Sequence, residues 1–159
     1  MVQRFAAEGF ELRLIVPDDA RAIAALHADS FHRGWSVDEV QGLLKGAGSI
    51  GVIAFVAAEA AGFLFARVIA PDAEIISLAV KHDFRRRGIG GSMLVALEGE
   101  LIARCCDKIF LEVAETNYDA LRLYERLDFN RVGKRPGYYQ SPQGCRTTAL
   151  LLRKNCNLN

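Results

Sequence analysis

The sequence predicts an α+β (α/β mixed) domain, a mostly antiparallel mixed sheet of about seven strands with four flanking helices. Three observations carry this reading. Short β-leaning runs recur between Glu11 and Leu152. Segments with apolar residues at helical spacing lie between some of them. The two kinds follow one another in the order β-α-α-β-β-β-α-β-α-β-β. At 159 residues the chain suits one domain, 1–159.

Glu11-Leu12-Arg13-Leu14-Ile15-Val16 starts as alternating polar and apolar residues, which predicts a strand. Pro17-Asp18-Asp19 opens a helix with acids at the positive end of its dipole, and Ile23, Leu26 and Phe31 make its buried stripe. Ser36 N-caps a second helix, where Glu39 completes a capping box and Val40, Leu43 and Leu44 face inward. Gly46-Ala47-Gly48 ends it. Ile50–Ala58, Phe63–Ile69 and Glu74–Val80 are apolar runs separated by turns at Glu59–Gly62 and Pro71-Asp72, an antiparallel meander. A long helix runs from Gly88 to about Cys105 on Ile89, Met93, Leu94, Leu97 and Leu101. Ile109–Val113 is a short buried strand. Asn117 caps a last helix with Leu121, Tyr124 and Leu127 inward. Two strands near Asn130–Tyr139 and Thr147–Leu152 finish the sheet, and residues 154–159 are expected to fray.

Composition narrows the function classes. The chain is 51% hydrophobic and 25% charged, which suits a packed core and excludes a disordered chain. Its net charge is +1, from 20 basic and 19 acidic side chains, which argues against bulk nucleic-acid binding. The total hides an asymmetry. Residues 1–80 carry 6 basic and 10 acidic side chains, and residues 122–159 carry 8 and 2. The longest uncharged stretch, Gly46–Ala58, has 13 residues, short of the ~20 a membrane span needs. Glu8 and Glu11 near the start argue against a signal peptide. Cys105, Cys106, Cys145 and Cys156 lack paired metal spacing and read as free thiols in a reducing cytoplasm. His27, His32 and His82 show no ligand spacing, so no metal is expected.

The most informative segment is Val80-Lys81-His82-Asp83-Phe84-Arg85-Arg86-Arg87-Gly88-Ile89-Gly90-Gly91-Ser92. A strand ends there and an Arg- and Gly-rich loop opens a long helix. First-turn N–H groups are unpaired and carry a partial positive charge. Glycines let an anion approach that backbone, and arginines add bidentate donors. These features specify an anion site suited to a diphosphate. The spacing is neither a P-loop nor a dinucleotide fingerprint.

Arg85-Arg86-Arg87-Gly88-Ile89-Gly90 resembles the Arg/Gln-x-x-Gly-x-Gly/Ala signature of the GNAT superfamily of N-acetyltransferases. The preceding strand Ile76–Val80 and the later block Leu111–Asn117 through Leu123–Phe129 also look like the family's, and the strand order matches over about residues 10–153. Within the superfamily the chain is most similar to the RimI-type ribosomal-protein alanine N-acetyltransferases. Leu111-Glu112-Val113, Asn117 and Leu123-Tyr124 carry that likeness, with Ala28–Ser36 and Gly137-Tyr138-Tyr139.

The resemblance implies a GNAT fold, acetyl-CoA as donor and a primary amine as acceptor, most naturally the N-terminal α-amine of a protein, with a ribosomal protein as one candidate. It implies no direct nucleic-acid recognition and no membrane. It makes Glu112 the general base and Tyr124 the general acid. An α-amine, with pKa near 7.7–8.0, needs only a modest base, and an acid in a short apolar strand is unexpected on packing grounds alone. Glu115 competes for the role, but strand parity points it away from the side shared by Glu112 and Ala114. Leu78 and Ala79 would pair with the pantetheine arm and the Val80 N–H would meet the oxyanion. Arg85, Arg86, Arg87, Gly88, Ile89, Gly90, Gly91, Ser92 and Asn117 would hold the rest of the cofactor. Phe31, His32, Arg33, Trp35, Tyr138 and Tyr139 are candidate acceptor walls.

Three departures from the family pattern stand out. Asp128 replaces a turn Gly, and it tolerates left-handed backbone better than most residues. Ala114 and Thr116 replace the usual Arg and Ser, and Ala114 bears on how an acceptor peptide is held. Two alternatives stay open: a GNAT acting on a small-molecule amine, and a non-catalytic acyl-CoA-binding module.

Overall fold

The structure, a computed structural model, describes residues 3–5, 7 and 9–156. Among the described residues, eight strands form one sheet: β1 (Arg4–Phe5), β2 (Glu11–Leu14), β3 (Ser49–Val56), β4 (Glu59–Ile69), β5 (Asp72–Val80), β6 (Lys108–Ala114), β7 (Asn130–Gln140) and β8 (Arg146–Asn155). The helices are α1 (Ala20–Ser30), α2 (Val37–Lys45), α3 (Ile89–Ala103) and α4 (Tyr118–Arg126). The spatial strand order is β1-β2-β3-β4-β5-β6-β8-β7. Only β5 and β6 run parallel; the other neighbours are antiparallel. The expected mixed α+β class and four helices are present, with one strand more than expected. The extra strand, β1, is two residues long and pairs Phe5 with Leu12, too short for any periodicity to reveal.

The sheet is covered on both faces. α3 and α4 pack on one side through Ile89, Met93, Leu97, Leu101 and Tyr124, against Leu64, Leu111, Val113 and Leu152. α1 and α2 pack on the other through Ile23, Leu26 and Val40, against Ile53, Phe63, Phe65 and Ala79. Leu97 and Leu101 have no exposed surface, so truncating either to Ala would cost about 2–5 kcal/mol.

Local chemistry explains most boundaries. Ser36 Oγ accepts from the Glu39 N–H at 3.1 Å while Glu39 accepts from the Ser36 N–H at 2.7 Å, the expected capping box. Pro17–Asp19 forms a 3-10 turn rather than the first turn of α1, which starts at Ala20. Asp128 takes φ 66 after α4, and the N–H groups of Asp128 and Phe129 bond to Glu125 and Tyr124 carbonyls. That is a left-handed helix stop made with Asp in place of Gly.

Phe31, expected in the buried stripe of the first helix, follows α1 as its C-cap and is 40% exposed. Two further expectations fail. The β3–β4 turn sits at Ala57 and Ala58, with φ 48 and 69, and not at Glu59–Gly62. Paired positive φ suits the twist of a tight hairpin, and two alanines adopt it at some cost. Gly62 serves another purpose, because a Cβ there would meet the Ala79 carbonyl oxygen at 2.8 Å. The expected fraying at 154–159 also fails for residues 154–156; residues 157–159 lie outside those described. Lys154 Nζ bonds Glu98 at 2.6 Å, and buried Cys156 donates its N–H to the Asp107 carbonyl at 2.8 Å. All four cysteines are free thiols. No helix among the described residues is long and apolar enough to cross a membrane.

A buried ion pair ties β2 to the turn before α1. Arg13 makes two bonds to Asp19, at 2.7 and 2.8 Å, and Asp19 also accepts from the Val16 N–H at 2.8 Å. Asp19 is 6% exposed. Removing one partner of such a pair leaves a desolvated charge. Asp19→Ala should therefore lose about 3–5 kcal/mol in denaturant unfolding; a loss under ~1 kcal/mol would show that water reaches Arg13 freely.

Candidate active site

The site begins with a break in the sheet. β5 and β6 pair only through Asp72/Lys108, Ala73/Ile109 and Glu74/Phe110. Beyond Glu74 the strands part, leaving the edges at 75–80 and 111–114 unpaired with each other. Each stays in register with its other neighbour, Val80 opposite Gly62 and Ala114 opposite Ala149 among the pairs. A bulge sharpens the divergence: Ala66 faces Ile75 while Phe65 faces Ser77, so Ile76 is one residue extra on β5. Leu78, Ala79 and Val80 lie on this free edge. Such an edge can pair with an extended ligand as a further strand would.

At the end of β5 the chain turns through His82–Phe84 into the arginine loop. Gly88 takes φ 81 and N-caps α3, and no side chain caps this helix. Ser92 donates its N–H to the Gly88 carbonyl at 3.0 Å, the first bond of the helical ladder. The first-turn N–H groups of Ile89, Gly90 and Gly91 precede that ladder. The Ile89 side chain is 1% exposed, so only its main chain can serve a ligand. Gly90 and Gly91 lie against Leu123; a Cβ on Gly90 would come within 3.2 Å of its Cδ2. The three arginines diverge. Arg85 Nε donates to the Val80 carbonyl at 2.9 Å and pins the loop. Arg86 is 3.7 Å from Asp119 in an exposed pair. Arg87 stacks over Phe84 at 5.4 Å. Asn117 N-caps α4, with Oδ1 accepting from the Ala120 N–H at 3.3 Å. A groove of about 890 Å³ opens from Gly88, Gly91 and Ser92 along α3.

The opposite side of the break carries different chemistry. Leu111 and Val113 belong to the core beneath α3 and α4, so Glu112 between them points to the other face. Register extends that face across the sheet: Glu112 pairs with Leu151, Ala114 with Ala149, Ala149 with Arg135 and Thr147 with Tyr139. Arg135 Nε lies 3.1 Å from Glu112 Oε1, and its Cζ sits 5.2 Å over the Tyr138 ring. Tyr138 meets Tyr139 edge-on at 5.2 Å. Burial, and then the Glu112 charge, hold the Tyr139 phenol above its ordinary pKa. Tyr124 reaches the break from the α3/α4 side, is 6% exposed and meets Phe129 edge-on at 5.5 Å. Burial, with Tyr139 nearby, pushes its phenol up to about 12. Glu115 lies past the end of β6 and is exposed.

The loop between α1 and α2 borders this face. His27 is buried and stacked between Trp35, at 3.9 Å, and Phe31, at 4.4 Å. Its Nδ1 accepts from the Trp35 N–H at 3.0 Å. Phe31 and Trp35 therefore pack the loop, Arg33 pairs outward with Glu39 at 3.1 Å, and His32 is exposed.

Residues 12–129 match the acetyltransferase (GNAT) family, and the chain belongs to it. The chain is similar to the ribosomal protein bS18 alanine N-acetyltransferase of Salmonella typhimurium, 39% identical over 84 residues, a stretch covering 53% of this chain and 57% of that protein. The chain thus spans little more than half the length of that relative. The crystal structure of the ribosomal-protein-S18-alanine N-acetyltransferase from Escherichia coli superposes with TM-score 0.86 at 25% identity, over 94% of this chain and 96% of that one. Arabidopsis thaliana NAA60, solved with acetyl-CoA, shares the fold with TM-score 0.81 at 20% identity, over 93% and 99%.

Sequence reasoning missed two residues. Arg135 was hidden because an arginine in a basic tail carries no spacing signal; its place three residues before Tyr138 was the available cue. His27 was passed over for lack of ligand spacing, although it stands four and eight residues before Phe31 and Trp35. Its bond to the Trp35 N–H requires an unprotonated Nδ1. Burial lowers its pKa from 6.5, with the Glu39 carboxylate opposing and Arg33 paired to that Glu39. The unfolded chain then binds the proton first, so stability falls as pH drops below 6.5. His27→Asn, which keeps an acceptor, should lose less stability than wild type between pH 7 and about 5 in denaturant melts. Equal losses would place the acid-sensitive group elsewhere.

Proposed function

We propose that this chain is an acetyl-CoA-dependent N-acetyltransferase whose acceptor is the N-terminal α-amine of a protein, foremost an alanine-starting ribosomal protein. One observation carries the reading: the break in the sheet has an uncapped helix N-terminus on one face and a carboxylate on the other. Family membership and the names of the relatives support it.

The residues present fit the cofactor. The uncapped first turn of α3, the φ 81 at Gly88 and the arginines beside it form a donor set for a diphosphate. The free edge of β5 is suited to an amide-bearing arm. Acetyl-CoA supplies an acetyl group on a thioester when bound. The Val80 N–H is the assigned donor to charge developing on the thioester oxygen. On the other face, Glu112 accepts a proton from the acceptor ammonium, directly or through water. An α-amine near 7.7–8.0 gives that proton up more readily than a lysine near 10.4, which favours an N-terminal acceptor. Tyr124, pushed up to about 12, keeps its proton throughout the working range. It is a weaker acid than a free thiol near 8.5, so its hydroxyl acts by hydrogen-bonding the departing sulfur as much as by protonating it.

The deciding experiment is a thiol-release assay with acetyl-CoA against alanine-starting peptides, lysine peptides and small amines. Preference for the alanine-starting peptide supports the reading, and turnover on small amines alone defeats it. Glu112→Gln should lower kcat/KM about 10²-fold, most at low pH where the acceptor is charged. Tyr124→Phe should lower kcat with CoA affinity little changed; wild-type rates in both variants would overturn the assigned roles. Gly88→Val forces a β-branched residue to positive φ at a cost of about 1–2 kcal/mol, so CoA should bind roughly ten-fold more weakly by calorimetry. Unchanged affinity would remove the diphosphate from this turn.

A further inference from the structure

The Arg135 guanidinium stands between solvent and the Glu112 carboxylate. The pair is lopsided, with the Arg135 side chain 62% exposed and that of Glu112 19%. Arg135 is the more exposed partner, and its guanidinium lies against one oxygen of the carboxylate. The placement follows from the fold of the hairpin. Arg135 faces Ala149 and Tyr139 faces Thr147, so four steps along β7 oppose two along β8. Pro136 and Gly137, the latter at φ 63, lie within the excess. The resulting bulge keeps Arg135 and Tyr139 on the same face as Glu112.

We propose that Arg135 is a positioning residue for the acceptor: its guanidinium occupies the cation place beside Glu112 and yields it to the incoming ammonium. The inference rests on the reading of Glu112 as the base. Arg135 holds Oε1 of Glu112, so an ammonium that takes that oxygen displaces the guanidinium from it. A half-exposed ion pair is weak, and the exchange is easy. The face of Tyr138 keeps the displaced side chain close through cation–π attraction. The exchange favours acceptors that arrive charged and delivers the charged nitrogen to the group that must deprotonate it.

The test is calorimetry of an alanine-starting peptide titrated into enzyme saturated with CoA, where no turnover occurs. Arg135→Gln should bind the peptide about three- to five-fold more tightly than wild type, because nothing has to be displaced. The gain should vanish in a Glu112→Gln background, and also for the same peptide with an acetylated N-terminus. Equal or weaker binding by Arg135→Gln overturns the exchange, and so does a gain that survives in Glu112→Gln. Turnover separates the two readings. If Glu112→Gln keeps the wild-type rate while Arg135→Gln binds tighter, the exchange stands and the base assignment falls. If Glu112→Gln is slow and Arg135→Gln binds no tighter, the base stands and the exchange falls.

Discussion

Between β5 and β6 the sheet is joined by three residue pairs and then opens, and the rest of the molecule is arranged around that opening. An unpaired edge inside a sheet exposes main-chain donors and acceptors, which is tolerable only where water or a ligand can satisfy them. The fold limits the damage because each half of the sheet is complete without the other. β2 to β5 form an antiparallel run on one side, and β6, β8 and β7 form another. The parallel contact needs only to hold the two halves in register.

The helices after the parted strands give the opening its polarity. α3 follows β5 and α4 follows β6, so both start near the open end. Gly90, in the first turn of α3, lies against Leu123 of α4, where a Cβ would come within 3.2 Å. The first-turn N–H groups of α3, which no side chain caps, lie on this face. The other face receives Glu112, Arg135 and Tyr139 through strand parity and register. Tyr124 reaches the break from the first face, where burial and then the nearby Tyr139 raise its pKa. A continuous sheet would have kept the two tyrosines apart.

Particular residues show what could be read in advance. The capping box at Ser36 and Glu39 and the inward positions of α3 depend on neighbours within one helix, and both were legible. Asp128 was legible as a left-handed stop, because its tolerance for that backbone is its own property. The Ala57-Ala58 turn was not, since alanine carries no turn preference; pairing of the flanking strands imposes it. Gly62 looked like a turn glycine, but its reason is a carbonyl on β5 that no local window contains. Cys156 looked like part of a loose tail until Asp107, nearly fifty residues earlier, was found to hold its N–H.

The sequence by itself determined the family, the arginine- and glycine-rich turn before α3 and the acid in an apolar strand, because each is written in contiguous residues whose chemistry or spacing is local. It also hid much inside a net charge of +1, whose parts lie in opposite segments. Only the tertiary structure decided what those charges face. Arg85 is bound to the carbonyl at the end of β5, Arg13 is half-buried against Asp19, and Arg135 is set against Glu112 across β8. The physical reason is that an arginine's role depends on its partner, and register, bulges and burial choose that partner.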